Sequence, residues 1–289
     1  METTTGRDRH SVIQLRRFFV SAAALVVPLA AAQSVQAAVT LAPHRAVYEL
    51  KLRETRGSTQ VDQVRGRIVY EFTGNACDGY ALNFRQVTEI ASDEGDTNVS
   101  DLRSATWEDG KAQSFRFTAQ NFLNQQLDRD TDGRADRSGG ALKVTLKKPA
   151  STSSSFDPKT LFPTEHLVKI IEAGERGEPL LEARVYDGSE NGDKSYDTLS
   201  VVGEGRDAPP AVLEAPARVP ELAKARYWPV TVSYFERGKK ADGEQTPDYQ
   251  MSFDLYENGV SRALRIDYGE FVLDGELKEL EFLKPTACR

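Results

Sequence analysis

Histidine, cysteine, methionine and tryptophan are almost missing from this chain. Its 289 residues hold three His, two Cys, two Met and two Trp. So little imidazole leaves few routes to metal binding or acid–base chemistry. No Gly-x-Ser-x-Gly elbow and no Ser-x-x-Lys pair occurs, which removes the common serine-nucleophile signatures. His166 stands next to a glutamate in "TEHLVK", but the two-histidine helical spacing of zinc hydrolases is absent. The expectation is a protein that is not an enzyme and carries no cofactor.

A positive charge excess is missing too. Lys and Arg number 37 against 44 Asp and Glu, for a net charge of −7. Nucleic acid and anionic bilayers would both be repelled. Long apolar runs are limited to 18–32, short of the roughly 20 residues that span a bilayer. That run follows Arg16-Arg17 and leads to Val35-Gln36-Ala37, with small side chains where a signal peptidase reads them. Residues 1–37 are therefore expected to be an export signal, cut before Ala38. The Arg pair weakly resembles a twin-arginine signal, but with no cofactor motif downstream, ordinary unfolded secretion is expected. No cysteine follows closely enough for a lipoprotein. Cleavage leaves 252 residues without a transmembrane segment. Loss of four Arg and two acids takes the net charge from −7 to −9.

Export gives the cysteines a meaning. Only Cys77, in "GNACDGY", and Cys288, in the terminal "KPTACR", are present, and an oxidising compartment favours pairing them. The alternative is two unrelated free thiols. A bridge would close a loop of about 212 residues and, on the chain-entropy model, stabilise the fold by up to about 5 kcal/mol.

The rest of the chain is mostly period two. In "HRAVYELKL", Ala46, Tyr48, Leu50 and Leu52 share one face. "DYQMSFDLY" and "ALRIDY" alternate likewise around Asn258-Gly259, a dipeptide suited to tight turns because both residues tolerate positive φ. "ATWEDGKAQSFRF" repeats the device around Asp109-Gly110. Further strands are expected near 64–73, 80–92, 97–107, 112–123, 141–148, 180–187, 195–203, 227–236 and 270–283. Such a pattern predicts an all-β fold, a wrapped antiparallel sheet or open barrel. One segment differs. In "LFPTEHLVKIIEAGERGE", Pro163 suits a first helical turn, and Leu167, Ile170, Ile171 and Gly174 fall on one face, which predicts a helix over 163–173. Its Phe162, His166, Leu167, Ile170 and Ile171 are the candidate groove residues. The Ser-rich 148–158 and the Pro/Ala-rich 205–229 read as loops, either one a potential hinge between half-sheets, with a short helix around 219–225.

"DRDTDGRAD" places Asp128, Asp130, Asp132, Gly133 and Asp136 at five positions of a calcium-loop pattern. The twelfth position is Gly139 rather than a glutamate, and Arg129, Arg134 and Arg137 neutralise the acids, so a solvated hairpin tip is the preferred reading. Aromatics such as Tyr70, Phe84, Tyr234 and Phe253 sit within strand candidates. They fit either a shared core, which is favoured, or a curved sheet whose apolar interior accepts a lipid tail or peptide under the helix.

"APHRAVYEL", "LFPTEHL", "YWPVTVSYF" and "YQMSFDLYENGVSRALRIDYGEFVLDGELKELEFLKPTAC" together resemble the envelope integrity protein B (EipB) family of Gram-negative bacteria. The resemblance covers essentially the whole chain beyond the export signal. It implies a periplasmic β-spiral: an incomplete antiparallel barrel around a central helix, shaped somewhat like the carriers that move lipoproteins between membranes. It also implies a disulfide between Cys77 and Cys288, a role in envelope integrity and stress resistance, a tetratricopeptide-repeat protein as partner, and no assigned reaction. The expected protein is thus a single domain over 38–289, a non-enzymatic binding or scaffold factor with a periplasmic protein partner. The alternative is a carrier of lipid or lipoprotein.

Overall fold

The alternation in "HRAVYELKL" becomes a strand because one row of side chains needs apolar cover and the other needs water or counter-charge. His44, Ala46, Tyr48 and Leu50 are buried, while Arg45 and Arg53 on the opposite face reach Glu279 and Asp274, each at 2.9 Å. The computed structural model describes residues 38–57, 61–92, 94–207, 209–238 and 245–288. The export signal expected over 1–37 lies outside them.

The strands run β1 (His44–Thr55), β2 (Val61–Asn75), β3 (Gly79–Ser92), β4 (Thr97–Glu108), β5 (Ser114–Leu123), β6 (Gln126–Ser138), β7 (Ala141–Lys148) and β8 (Thr152–Phe156). Helix α1 (Pro163–Arg176) follows, then β9 (Leu180–Val185), β10 (Tyr196–Val202), α2 (Pro220–Ala223), β11 (Tyr227–Glu236), β12 (Tyr249–Tyr256), β13 (Ser261–Asp267) and β14 (Phe271–Phe282). All fourteen strands belong to one antiparallel sheet, in the order β8-β7-β6-β5-β4-β3-β2-β1-β14-β13-β12-β11-β10-β9. The first and last strands meet in the middle of the sheet, where β1 pairs with β14. The two edge strands are consecutive in the chain and are joined through α1. The all-β, incomplete-barrel expectation is thereby met: the sheet stays open, and its edges approach each other at a parallel bridge between Leu161 and Val185, an Asp157–Arg184 ion pair at 3.3 Å and a contact of the Phe156 and Tyr186 rings.

Three local expectations are corrected. The acidic stretch is not a hairpin tip. It is the body of β6, and the tip lies just before it at Asn124 and Gln125, both left-handed with φ 49° and 68°. Asp128, Asp130, Asp132 and Asp136 fall on one face of an extended strand and span about 26 Å at roughly 3.3 Å per residue, too far to converge on one ion. They are instead met singly: Asp130 by Lys148 at 2.7 Å, Asp132 by Lys147 at 3.5 Å, Asp136 by Ser114 at 2.9 Å, and Asp128 by Arg129 at 3.5 Å. The Ser-rich stretch holds edge strand β8, whose "TSSSF" has no apolar alternation to reveal it. The Asn258-Gly259 turn is looser than expected, since only Gly259 has positive φ, at 85°.

Neither presumed hinge divides the sheet. The Pro/Ala-rich segment instead packs Leu213, Ala217, Leu222 and Ala225 into the same apolar cluster as Leu50, Leu264 and Leu273. It is tied there by Arg262, an inward-facing cation on β13 that pairs with Glu214 and, at 3.0 Å, with Asp254. Both terminal nitrogens of Arg262 also donate to the carbonyl of Val212, at 3.2 and 3.1 Å.

Candidate functional site

The β2–β3 hairpin turns through Cys77, and its conformation is set by Asn75, whose side-chain oxygen accepts from the backbone N–H groups of Cys77 and Asp78 at 2.8 Å each. The Asn75 amide nitrogen reaches forward to the carbonyl and hydroxyl of Thr286, at 3.1 and 2.9 Å. Two residues later Cys288 closes a disulfide with Cys77, with Cα atoms 5.5 Å apart at a sequence separation of 211. The tail leaving β14 therefore crosses β1 and is fastened to the far side of β2.

The second feature is α1. It starts at Pro163, whose missing N–H costs nothing at a first turn, and stops at Gly177 in the left-handed conformation, φ 68°. No side chain next to it in sequence satisfies its first free amides. Glu108, at the end of β4, supplies the acceptor and takes the N–H groups of Thr164 and Glu165 at 2.7 and 2.8 Å. Burial, outweighing these two bonds, pushes the Glu108 carboxyl up to about 7. Gly174 brings the helix onto β11, because a Cβ there would lie 2.7 Å from the Trp228 ring.

α1 divides the candidate groove residues into two groups. Phe162 is fully buried against Phe115, with ring centroids 5.2 Å apart, and Ile171 is buried among Trp228, Val230 and Leu255. These two are core. His166, Leu167 and Ile170 line a cavity of about 610 Å³ between α1 and strands β3, β4, β11 and β12. Much of its wall is apolar, including Leu82, Phe84, Leu102, Val232, Met251 and Phe253. Gln86, Ser100, Ser104 and Asn121 contribute polar atoms. One side is a loop carrying Asp187, Ser189 and Glu190, and Glu190 is paired with Arg129 of β6. Gly188 lets that loop pass over the core: its φ is 69° and a Cβ would meet the Phe117 ring at 2.5 Å.

His166 lies at the inner wall, 4% exposed, and its Nε2 is 3.4 Å from both Thr198 Oγ1 and Ser200 Oγ. Burial pushes its imidazole down to about 4, so it is neutral and weakly basic at neutral pH. Ser200 is completely buried. A seryl hydroxyl beside a histidine is the start of a nucleophilic pair, but here His166 lines the cavity while the Ser200 hydroxyl does not. Local pattern missed Glu108, Asp187 and Arg262. The one available signal was an acid or base at an inward strand position, as with Arg262 between Ser261 and Ala263 in a strand whose buried row continues through Leu264 and Ile266.

Among the described residues, no helix is long and apolar enough to cross a membrane. The curled sheet has a counterpart among solved structures. A crystal structure of a beta-barrel-like protein from Brucella abortus, of a domain of unknown function, superposes with a TM-score of 0.78 at 35% identity, covering 86% of this chain and all of that one. Cell envelope integrity protein EipB of Brucella abortus (strain 2308) is 36% identical over 253 residues, 87% of this chain and 88% of that protein. The EipB-like family model matches residues 35–284, which takes in every strand from β1 to β14 together with α1, and the chain belongs to that family.

Proposed function

We propose that this chain is exported by way of residues 1–37, works in the periplasm as residues 38–289, and supports cell-envelope integrity by binding rather than by catalysis. Its relative named for envelope integrity matches over most of both chains, which supports the role. The observation that carries the mode of action is the clasp. Fixing Cys288 to the β2–β3 hairpin holds both chain ends in the middle of the sheet, and makes the spiral a stiff surface for a protein partner. A tetratricopeptide-repeat protein is the partner class implied by the family resemblance. Cross-linking in intact periplasm followed by mass spectrometry should recover one protein reproducibly, and less of it with Cys288→Ser. A chain that remains alone under conditions that trap other periplasmic complexes would refute the scaffold.

The cavity favours a second reading, a carrier of lipid or lipoprotein acyl chains. Its volume falls within the range of about 300–1,000 Å³ common to small-molecule sites, and its wall combines apolar surface with a few convergent polar groups. Native mass spectrometry of protein taken from the periplasm should then show a co-purified mass that is lost when Leu167 is replaced by Asp. A bare chain would count against the carrier and leave the scaffold standing.

A further inference from the structure

The cavity wall has one more carboxyl than it has cationic side chains. Its lining includes Asp187 and Glu190 against the single guanidinium of Arg129, and burial pushes the His166 imidazole down so that it adds no charge at neutral pH. Arg129 is already committed to Glu190. Glu190 is fixed further by its backbone carbonyl, which accepts from Thr131 Oγ1 at 2.7 Å. Asp187 accepts the backbone N–H of Ser189 at 2.9 Å and, among the described residues, has no cationic partner. Burial pushes the Asp187 carboxyl above its ordinary range, outweighing the bonds from Ser189, and a cation brought from outside would favour the carboxylate form there.

What stands around Asp187 also suits a cation. Tyr234, in the cavity wall, stacks on Tyr249 with ring centroids 4.4 Å apart. Tyr196 stands edge-on to both, at 6.2 and 6.4 Å. Ser189, whose backbone N–H Asp187 accepts, donates its hydroxyl to the Tyr196 Oη at 3.5 Å, which places the carboxyl near these rings. Their faces carry the negative lobe of the aromatic quadrupole, which attracts ammonium groups most strongly where water is excluded. Leu167 and Ile170 of α1, with Leu102 and Phe253, give the same cavity apolar wall.

We propose that the cavity binds an amphiphile with a cationic ammonium head, the head at Asp187 beside Tyr234 and the apolar tail along Leu167 and Ile170 of α1. This inference rests on the carrier reading and supplies its ligand class.

Isothermal titration of protein 38–289 with three twelve-carbon detergents below their micellar concentrations tests it. The probes are dodecyltrimethylammonium, dodecyl sulfate and the uncharged dodecyl maltoside, and tetramethylammonium serves as a head without a tail. The cationic detergent should bind about tenfold or more tighter than the sulfate, and tetramethylammonium far more weakly than either. Asp187→Asn should remove that preference, and Asp187→Glu should keep it, provided both variants melt as wild type does. Equal affinity for the two charged detergents, or a preference that survives Asp187→Asn, overturns the proposal. Should the maltoside bind well while no charge preference exists, only the ligand class falls. Should none of the detergents bind, the carrier reading falls with it.

Discussion

Replacing Cys288 by Ser should leave the native fold in place and destabilise it from the unfolded side. The bridge spans 211 residues, and the chain-entropy model gives a loss of about 5 kcal/mol for a loop of that size. Measured losses for native bridges run from about 2 to 5 kcal/mol, since unfolded chains keep some structure. The native tail has other anchors. Asn75 holds Thr286, and the Leu283 N–H donates to the Pro43 carbonyl at 2.9 Å. Near-ultraviolet circular dichroism of Cys288→Ser should therefore match wild type. At about 2 °C per kcal/mol for a domain of this size, the melting midpoint should fall by roughly 4–10 °C. Urea unfolding adds a signature that a lost native contact would not give. Freed from the cross-link, the unfolded chain expands and exposes more surface, so the m-value should rise while the midpoint falls. Reductant should shift wild type to the variant's values and leave the variant unmoved. Equal midpoints for oxidised and reduced wild type would refute the reasoning, as would an unchanged m-value.

Two buried groups should give opposite pH slopes. Glu108 has its carboxyl raised from 4.5 to about 7, so between those values the native state holds a proton that the unfolded chain has released, and stability falls as pH rises. His166 has its imidazole lowered from 6.5 to about 4, so across that window the unfolded chain binds a proton the native state refuses, and stability rises with pH. Each shift corresponds to about 3 kcal/mol, and the two largely cancel in wild type. Urea titrations from pH 4 to 7.5 should show a falling slope uncovered in His166→Leu and a rising one in Glu108→Gln; parallel profiles for all three proteins would contradict the assignment. Arg262→Ala leaves Glu214 and Asp254 facing each other in the core and should cost about 3–5 kcal/mol, whereas Arg262→Met with Glu214→Gln and Asp254→Asn should recover most of that midpoint.

How much of this was legible in sequence follows from what each feature depends on. β1 and β13 were readable because each buries one face, and a period of two records that burial directly; β12 shows the same alternation in residue type although its burial is even as far as Asp254. α1 was readable because Pro163 and Gly177 bracket an amphipathic run. β8 was not, because an edge strand of serines has little to bury and so keeps no period. β6 was hidden by its own aspartates, which match a metal loop in spacing but alternate with Thr131, Gly133 and Ala135, all small enough to pass as loop residues. The cavity mixes both cases. Leu167 and Ile170 announced an apolar face, yet Ile171 on the same helix and Phe162 just before it went into the core, because which side of α1 stays uncovered depends on how far the sheet curls around it. Glu108, Asp187 and Arg262 share a different reason. Each is a charged group whose partner, or lack of one, is settled by chain arriving from elsewhere: Glu108 meets the first turn of α1 from 56 residues away, and Arg262 meets Glu214 from 48. Local pattern prices a charge as if it faced water. A spiral that brings its first and last strands together can place that charge inside, so the residues least legible in this sequence are the ones that tie separate turns of the sheet to one another.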